Sequence, residues 1–300
     1  MNSILVVGSV ALDTVDTPFG KAREALGGSA TYFSLAASFF TQVNLVAAVG
    51  TDFPARYIRL FASRGIGLTG MKITEGRTFR WTGRYGFDLN QAETLKTELN
   101  VFRTFKPSIP RSYLSSPFVF LANIDPDLQR EVLGQVRKPR FVACDTMEYW
   151  ITRKRKSLLK TLRQVDALLI NEAEVRELSG EVNLIRASRK IFTMGPRCLI
   201  VKRGEYGAVL FSKDSIFFVP GFPLEEVFDP TGAGDTFAGG FMGWLAKDDS
   251  TDNYTMRRAV IAGSVMASFA VQGFSVKHLL SLTKKSFSKR IKEFTSLMMQ

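Results

Sequence analysis

Short apolar runs alternate with helical patterns from residue 117 onward, and this alternation constrains the fold more than any other feature of the chain. Runs rich in β-prone residues predict strands at residues 118–122, 141–145, 167–171 and 198–202. Apolar residues at helical spacing predict helices at residues 127–137, 153–164, 172–179 and 183–194. We therefore expect an α/β protein with a doubly wound, mostly parallel sheet and helices on both faces.

A different pattern occupies residues 77–87, where aromatic side chains alternate with polar and cationic ones. This period of two predicts a strand with an aromatic stripe on one face, formed by Phe79, Trp81, Tyr85 and Phe87. The other face is cationic, so the strand cannot lie inside a buried parallel sheet. We expect residues 14–26 and 72–106 to form a small β lid on a single domain that spans residues 1–300. Because so large an apolar stripe must be covered, we also expect a homodimer that forms through the lid.

The composition is that of an ordinary soluble protein, with 45% hydrophobic and 23% charged residues. No apolar run approaches the roughly 20 residues that a membrane-spanning helix needs, and no basic segment precedes the first apolar run. Cys144 and Cys198 both lie in apolar runs and predict free thiols in a reducing compartment. We therefore expect a cytoplasmic protein with no membrane partner.

The net charge of +12 raises the question of nucleic-acid binding. The densest basic cluster, at residues 153–156, is interpreted as the solvated start of a helix. Nucleic acid is therefore not the partner we expect, although a non-catalytic protein that binds nucleic acid through this surface stays open as an alternative.

The most informative motif is Asp-Pro-Thr-Gly-Ala-Gly-Asp-Thr at residues 229–236, which lies between a predicted strand and a predicted helix. The first N–H groups of a helix have no partner within it, and the helix dipole adds partial positive charge there. Gly232, Ala233 and Gly234 are thus placed to point their amides at an anion. Asp235 follows directly and is placed to take a proton from a hydroxyl that attacks that anion. On spacing alone, a glycine-rich helix start with an acidic first turn is the alternative.

This motif resembles the C-terminal motif of the ribokinase-like (PfkB) kinases, which phosphorylate sugars and nucleosides from ATP. The resemblance implies that Asp235 is the catalytic base and that the three preceding amides form an anion hole. It also implies a monovalent cation beside that loop, where Asp229 and Thr231 match the family. Whether a cation such as K⁺ binds this chain stays open.

A second resemblance to the same family lies near the N-terminus. Asp13 follows the first predicted strand, and Gly27 and Gly28 precede a predicted helix, as in the substrate-binding motif of these kinases. Ser29 comes next and is a further candidate for substrate binding. Many members have asparagine four residues after the second glycine, where this chain has Tyr32. Ribose and fructose are therefore not assumed as substrates, because an aromatic ring replaces an amide that binds hydroxyl groups.

Two candidate nucleotide-binding motifs follow predicted strands. Asn171 and Glu174 match the family's Asn-x-x-Glu motif, which implies a role beside Mg²⁺ through bound water, although the same spacing forms a helix capping box. Lys202 either approaches the phosphates or caps its strand. Gly204 and Gly207 resemble the family's turn beside the nucleotide.

Gly263 lies among small residues of a later predicted helix, where it either accommodates a flat base or serves close packing. The chain contains neither a Gly-x-x-x-x-Gly-Lys-Ser/Thr loop nor a Gly-x-Gly-x-x-Gly motif after its first strand. Our leading hypothesis is an ATP- and Mg²⁺-dependent kinase that phosphorylates a hydroxyl of a sugar. The near alternative is a nucleoside kinase, in which a base stacks on Tyr32, Phe33 and the lid residues Phe79, Trp81 and Tyr85.

Overall fold

The computed structural model describes residues 2–298 of the chain. The strands, in chain order, are β1 (Ser3–Val7), β2 (Ala11–Thr17), β3 (Gly20–Gly27), β4 (Gln42–Gly50), β5 (Ile66–Thr74), β6 (Phe79–Tyr85), β7 (Ala92–Glu98), β8 (Phe118–Leu121), β9 (Phe141–Asp145), β10 (Ala167–Asn171), β11 (Cys198–Lys202), β12 (Ala208–Ser212) and β13 (Ile216–Val219). The helices are α1 (Ser29–Ala37), α2 (Ala55–Ser63), α3 (Pro126–Gln135), α4 (Glu148–Arg153), α5 (Arg155–Leu162), α6 (Glu172–Ser179), α7 (Leu184–Phe192), α8 (Ala233–Asp248), α9 (Asn253–Ala270), α10 (Lys277–Ser281) and α11 (Lys284–Met298).

The larger of two sheets has nine strands in the order β13-β12-β11-β10-β9-β8-β1-β4-β5. All neighbours from β11 to β5 are parallel, whereas β12 and β13 form an antiparallel extension at one edge. This arrangement confirms the mostly parallel sheet that the alternating pattern predicts.

Helices cover both faces of this sheet, because its strands are apolar on both sides. In β1, Ile4 and Val6 point into one core, while Leu5 and Val7 point into the other. The first core packs against α1, α2 and α8 to α11, and the second packs against α3 to α7. The prediction of helices on both faces is therefore confirmed.

The smaller sheet is the lid, with the strand order β3-β2-β6-β7. Its central strands β2 and β6 are parallel, and both edge pairs are antiparallel. The lid starts at Ala11 rather than at residue 14, so that Asp13 lies within a lid strand. Residues 72–74, which we expected in the lid, belong to β5 and pair with β4 in the main sheet.

Among residues 2–298, none of the helices combines the length and the apolar composition that crossing a bilayer requires.

Candidate active site

The candidate site lies at the carboxyl ends of the parallel strands, where an open α/β sheet binds its ligands. Helix α8 begins there, and its N-cap residue Gly232 has a left-handed backbone (φ 74°). The amide of Ala233 donates to the carbonyl of Pro230 at 3.1 Å and closes the turn. Within the described chain, the amides of Gly232 and Gly234 have no acceptor. Two of the three expected amides are thus available to an anion, and the third stabilises the turn.

Tyr32 covers this turn from the side of α1. A Cβ on Gly232 would lie 2.3 Å from the Tyr32 ring, so space as well as backbone conformation requires glycine there. The Tyr32 side chain is buried. Burial and the nearby carboxylate of Asp13 raise the pKa of Tyr32 well above its ordinary value, so its hydroxyl stays protonated. The residue that departs from the family pattern is therefore packed directly on the anion-hole turn.

Asp235 lies in the first turn of α8 and keeps part of its surface open to the cleft. Burial and the negative charge of Asp145 raise the pKa of Asp235 to about 7, although Lys202 acts in the opposite direction. A carboxylate whose pKa lies near neutrality can accept a proton and release it again at working pH.

Sequence reasoning missed Asp145, the last residue of β9. Its Oδ2 accepts a hydrogen bond from Nζ of Lys202 at 2.9 Å. Burial lowers the pKa of Lys202, but Asp145, Glu174 and Asp235 together raise it, so the ammonium group stays charged. That ammonium lies 3.0 Å from the place where a Cβ on Gly234 would be, which puts Lys202 beside the anion-hole turn.

Asn171 and Glu174 form a reciprocal capping box at the start of α6. The Asn171 amide donates to Oε2 of Glu174 at 2.9 Å, and the Glu174 amide donates to Oδ1 of Asn171 at 2.8 Å. Burial and the charge of Asp145 raise the pKa of Glu174 to about 7, while Lys202 lowers it. The pair therefore caps a helix and at the same time places a carboxylate beside Lys202.

Asp13 lies on the opposite side of the cleft, on the lid strand β2. Its Oδ2 accepts the amide of Gly28 at 3.2 Å, while its Oδ1 is buried and has no partner within the described chain. Burial, and to a smaller extent Asp229 and Asp235, raise the pKa of Asp13 to about 7. A Cβ on Gly27 would lie 1.9 Å from Asp13 Oδ2, so this approach requires glycine at residue 27. Gly28 has a positive φ of 93°, and a Cβ there would lie 2.5 Å from the Ser9 carbonyl oxygen.

Ser29 does not point a free hydroxyl at the cleft. Its Oγ lies 3.1 Å from the hydroxyl of Ser9, and the Ser29 amide donates to that same hydroxyl at 3.0 Å. This buried pair ties the start of α1 to the loop after β1, which explains the serine without a substrate.

Asp229 holds two loops together beneath the lid. Its Oδ1 accepts the amide of Thr231 at 2.9 Å, and its Oδ2 accepts the amide of Ser275 at 3.2 Å. Burial raises the pKa of Asp229. The Thr231 hydroxyl in turn donates to the hydroxyl of Tyr85 at 3.3 Å, which joins this loop to the lid.

Two residues of the lid's aromatic stripe, Trp81 and Tyr85, lie beside residues of the cleft. Trp81 lies directly opposite Asp13 in the β2–β6 pair, so the two side chains share a face. Phe79 stacks on Phe102 with 5.7 Å between ring centroids, and Tyr85 reaches Thr231. Phe87 is the exception, because 91% of it is exposed.

A separate structural cause accounts for each of the three remaining candidate glycines, Gly204, Gly207 and Gly263. Gly207 (φ 90°) has the Val219 carbonyl 2.1 Å from its would-be Cβ, so the neighbouring strand excludes any side chain. Gly204 (φ 57°) touches Asn90, which lies in the turn between β6 and β7. Gly263 is buried against Phe237 of α8, where close helix packing accounts for it.

A family model described as "pfkB family carbohydrate kinase" matches residues 1–281 of the chain. The chain belongs to this family. It is a phosphotransferase that acts on a hydroxyl group, and PfkB kinases take the phosphoryl group from ATP.

Named relatives of the family include kinases of nucleosides. The chain is 28% identical over 249 residues to a cytidine kinase of Thermococcus kodakarensis. The aligned region covers 81% of this chain and 88% of the relative. Its fold is similar to that of a nucleoside kinase of Methanocaldococcus jannaschii, with a TM-score of 0.79, 21% identity and coverage of 98% and 99% of the two chains. It is also similar to a ribokinase of Cryptococcus neoformans in complex with ADP, with a TM-score of 0.79, 20% identity and coverage of 97% and 100%.

Proposed function

We propose that this PfkB kinase phosphorylates a sugar hydroxyl of a nucleoside. The observation that carries the proposal is the aromatic stripe, because Trp81 shares the face of Asp13 above the site. A free sugar needs hydroxyl-binding groups on all sides, whereas a nucleobase is flat and stacks on aromatic rings. Tyr32 replaces the amide that many family members have with a ring buried against Gly232, so a hydroxyl-binding group for a free sugar is absent there. The cytidine kinase relative and the nucleoside kinase structure support the same substrate class.

Asp235 acts as the general base in the proposed mechanism. Its carboxylate takes the proton from the substrate hydroxyl as the hydroxyl oxygen attacks the γ-phosphorus of ATP. The bond between that phosphorus and the bridging oxygen breaks, and ADP leaves. The amides of Gly232 and Gly234 and the ammonium of Lys202 stabilise the charge on the transferring phosphoryl group.

Asp13 holds the sugar in this proposal. Its Oδ1 is buried and has no partner in the described chain, which is costly unless a ligand hydroxyl donates to it. The lid then excludes water that would otherwise hydrolyse ATP.

The residues at the phosphate end fit Mg²⁺ as a further ligand. The Asp145 carboxylate lies close enough to Glu174 to raise its pKa. A divalent cation between them would relieve the repulsion of the two negative charges. Within residues 2–298 no cluster of three or more ligating side chains forms a ready metal site, which suits an ion that keeps most of its waters. When bound, Mg²⁺ would neutralise phosphate charge, with Asp145, Asn171 and Glu174 near its water shell.

A monovalent cation such as K⁺ is proposed beside Asp229 and Thr231. The Asp229 carboxylate is buried, and no cationic side chain of the described residues pairs with it. Such a cation would neutralise it and stiffen the loop that leads to the anion hole.

A homodimer through the lid and a cytoplasmic location belong to the same proposal. Phe79, Trp81 and Tyr85 make contacts within the chain, so a dimer would use the exposed Phe87 and the edge strand β7 with Leu95. The free cysteines Cys144 and Cys198 support a reducing compartment. Replacement of Phe87 and Leu95 by serine should then yield monomers in sedimentation experiments, and an unchanged sedimentation coefficient would contradict the lid dimer.

The alternative of a nucleic-acid-binding protein receives little support from the basic run at residues 153–156. Lys154 pairs with Asp125 at 2.6 Å, and Arg155 donates to the Leu178 carbonyl at 2.6 Å. Both cations thus serve contacts within the chain.

A panel of acceptors tests the proposed function. The protein is incubated with ATP, Mg²⁺ and either nucleosides or the free sugars ribose, fructose and inositol, and phosphorylated products are identified by mass spectrometry. Nucleosides should be the better acceptors by kcat/KM. Phosphorylation of free sugars alone would overturn the nucleoside assignment.

A further inference from the structure

The indole of Trp81 occupies the space beside Gly83 on the lid strand β6. A Cβ built on Gly83 would lie 2.1 Å from Cη2 of Trp81 and 2.3 Å from Cζ2. Real side chains never approach so closely, since ordinary carbon contacts lie near 3.5–4.0 Å. The six-membered ring of Trp81 therefore lies over the backbone of Gly83, where any other residue would displace it.

Backbone conformation does not explain this glycine. Gly83 is absent from the glycines with positive φ, so an alanine could adopt its backbone angles. The β6–β7 pairing does shift register between Thr82 and Gly83, but a bulge needs glycine only where φ is positive. Space for Trp81 remains as the reason for glycine at this position.

A second contact fixes the indole in this orientation. Nε1 of Trp81 donates to Oγ1 of Thr94 on the neighbouring strand β7 at 3.2 Å. With one edge tied to Thr94 and its ring over Gly83, the indole lies along the lid surface. It shares this surface with Asp13, its direct partner on β2, and with Tyr85, two residues beyond Gly83.

We propose that Gly83 is a specificity-determining residue, because its missing side chain lets Trp81 form a flat wall that receives the base of the substrate. This inference rests on the proposed nucleoside kinase function. Gly83 itself touches no substrate and acts through the position of the Trp81 ring. A methyl group at residue 83 pushes the ring toward the cleft and narrows the space for a planar base.

The Gly83→Ala variant tests this inference in steady-state kinetics with a nucleoside. Base stacking on an aromatic ring corresponds to about 5- to 150-fold in affinity, so KM for the nucleoside should rise by up to that factor. KM for ATP should stay unchanged, because the phosphate end lies on other elements. Gly86→Ala is the matched control, since a Cβ on Gly86 meets nothing within 4 Å.

A double-mutant cycle shows whether Gly83 acts through Trp81. If it does, Trp81→Ala raises KM for the nucleoside, and Gly83→Ala adds nothing further in that background. If the alanine acts by distorting the strand, the two effects add and the inference fails. Thr94→Val is a further test that adds no bulk to the lid. It removes the hydrogen bond from Trp81 Nε1, which should raise KM for the nucleoside by about 2- to 10-fold.

The outcomes separate this inference from the proposed function. If the wild-type protein phosphorylates no nucleoside, the proposed function fails and the inference fails with it. If the wild type phosphorylates nucleosides and Gly83→Ala has the wild-type KM, the function stands and the role of Gly83 is refuted. A rise in KM that disappears in the Trp81→Ala background supports both.

Discussion

Asp13, Glu174 and Asp235 all bind protons more tightly than ordinary carboxyl groups, each with a pKa of about 7. Burial is the largest cause in each case, and neighbouring carboxylates add to it. The cleft thus holds several carboxyl groups close together. They lie where the proposed mechanism deprotonates an alcohol, and beside the cation and the amides that would bind phosphate groups. Groups with such perturbed pKa values commonly mark functional sites.

The rate should depend on pH through Asp235. A base must be deprotonated, so kcat/KM for the nucleoside should fall as the pH is lowered through about 7, the raised pKa of Asp235. The measurement is a profile of log kcat/KM over roughly pH 5.5 to 9 at saturating ATP and Mg²⁺. A flat profile through neutrality would show that no group with this pKa acts as the base.

The same raised pKa predicts a gain in stability from Asp235→Asn. The folded state holds the Asp235 proton more tightly than the unfolded chain, so this group's contribution to stability is lost as pH rises from about 4 to about 7. The neutral asparagine avoids that loss. Its gain in Tm over the wild type should therefore be larger at about pH 8 than at about pH 5. Equal Tm differences at both pH values in thermal unfolding would contradict this account.

Glu174 should act on Mg²⁺ and not only as a helix cap. Glutamine at this position keeps the oxygen that closes the capping box, so Glu174→Gln should not lower Tm. The Mg²⁺ concentration for half-maximal rate should rise, because a carboxylate near the ion is lost. Glu174→Ala serves as the comparison that loses both functions. If Glu174→Gln lowers Tm and leaves the Mg²⁺ titration unchanged, Glu174 acts only as a helix cap.

At the scale of the element, the lid contacts the anion-hole loop through the hydrogen bond between Thr231 and Tyr85, in addition to the bond that Thr17 donates to the Phe228 carbonyl just before the loop. Tyr85→Phe removes the hydroxyl that accepts from Thr231 and leaves the ring. We expect KM for the nucleoside to rise by about 2- to 10-fold, the usual worth of one hydrogen bond. ATP hydrolysis without acceptor should increase, because the lid closes less firmly. Phe79→Leu, which lies away from this contact, is the control, and equal effects of both variants would assign the change to the whole strand.

Strands that depend on local signals were predictable from the sequence. The limits expected for β9, β10 and β11 agree with the structure at both ends, because each is an apolar run bounded by turn residues. The start of the lid was less predictable. Residues 11–13 continue the apolar run of β1, and only their pairing with β6 assigns them to the second sheet.

At the scale of the whole molecule, the site depends on which strand ends become neighbours. Asp145 ends a strand that the sequence predicts, yet its contact with Lys202 spans 57 residues and two strand positions. No local sequence pattern predicts a contact between residues so far apart in the chain. The rule that parallel strands bind ligands at their carboxyl ends would have marked Asp145 as a candidate, because it ends a strand as Asn171 and Lys202 do.

The two cores give the site its rigidity. Strands β1 and β8 to β11 are buried on both faces, so their carboxyl ends cannot shift without moving packed side chains on both sides. The lid, by contrast, contributes Asp13 and Trp81 from a four-stranded sheet of its own. The residues proposed to bind phosphate thus lie on the main sheet and its helices, and those proposed to select the nucleoside lie on the lid. For this reason Gly83→Ala should change KM for the nucleoside and not KM for ATP.

The most direct test of this account is the transfer of labelled γ-phosphate from ATP to a nucleoside by the wild type and by Asp235→Asn. The wild type should form the nucleoside monophosphate, and the variant should turn over about 10²- to 10⁴-fold more slowly with a nearly unchanged KM, the pattern of a lost general base. An Asp235→Asn variant that forms product at the wild-type rate would contradict the central claim that this carboxylate deprotonates the attacking hydroxyl.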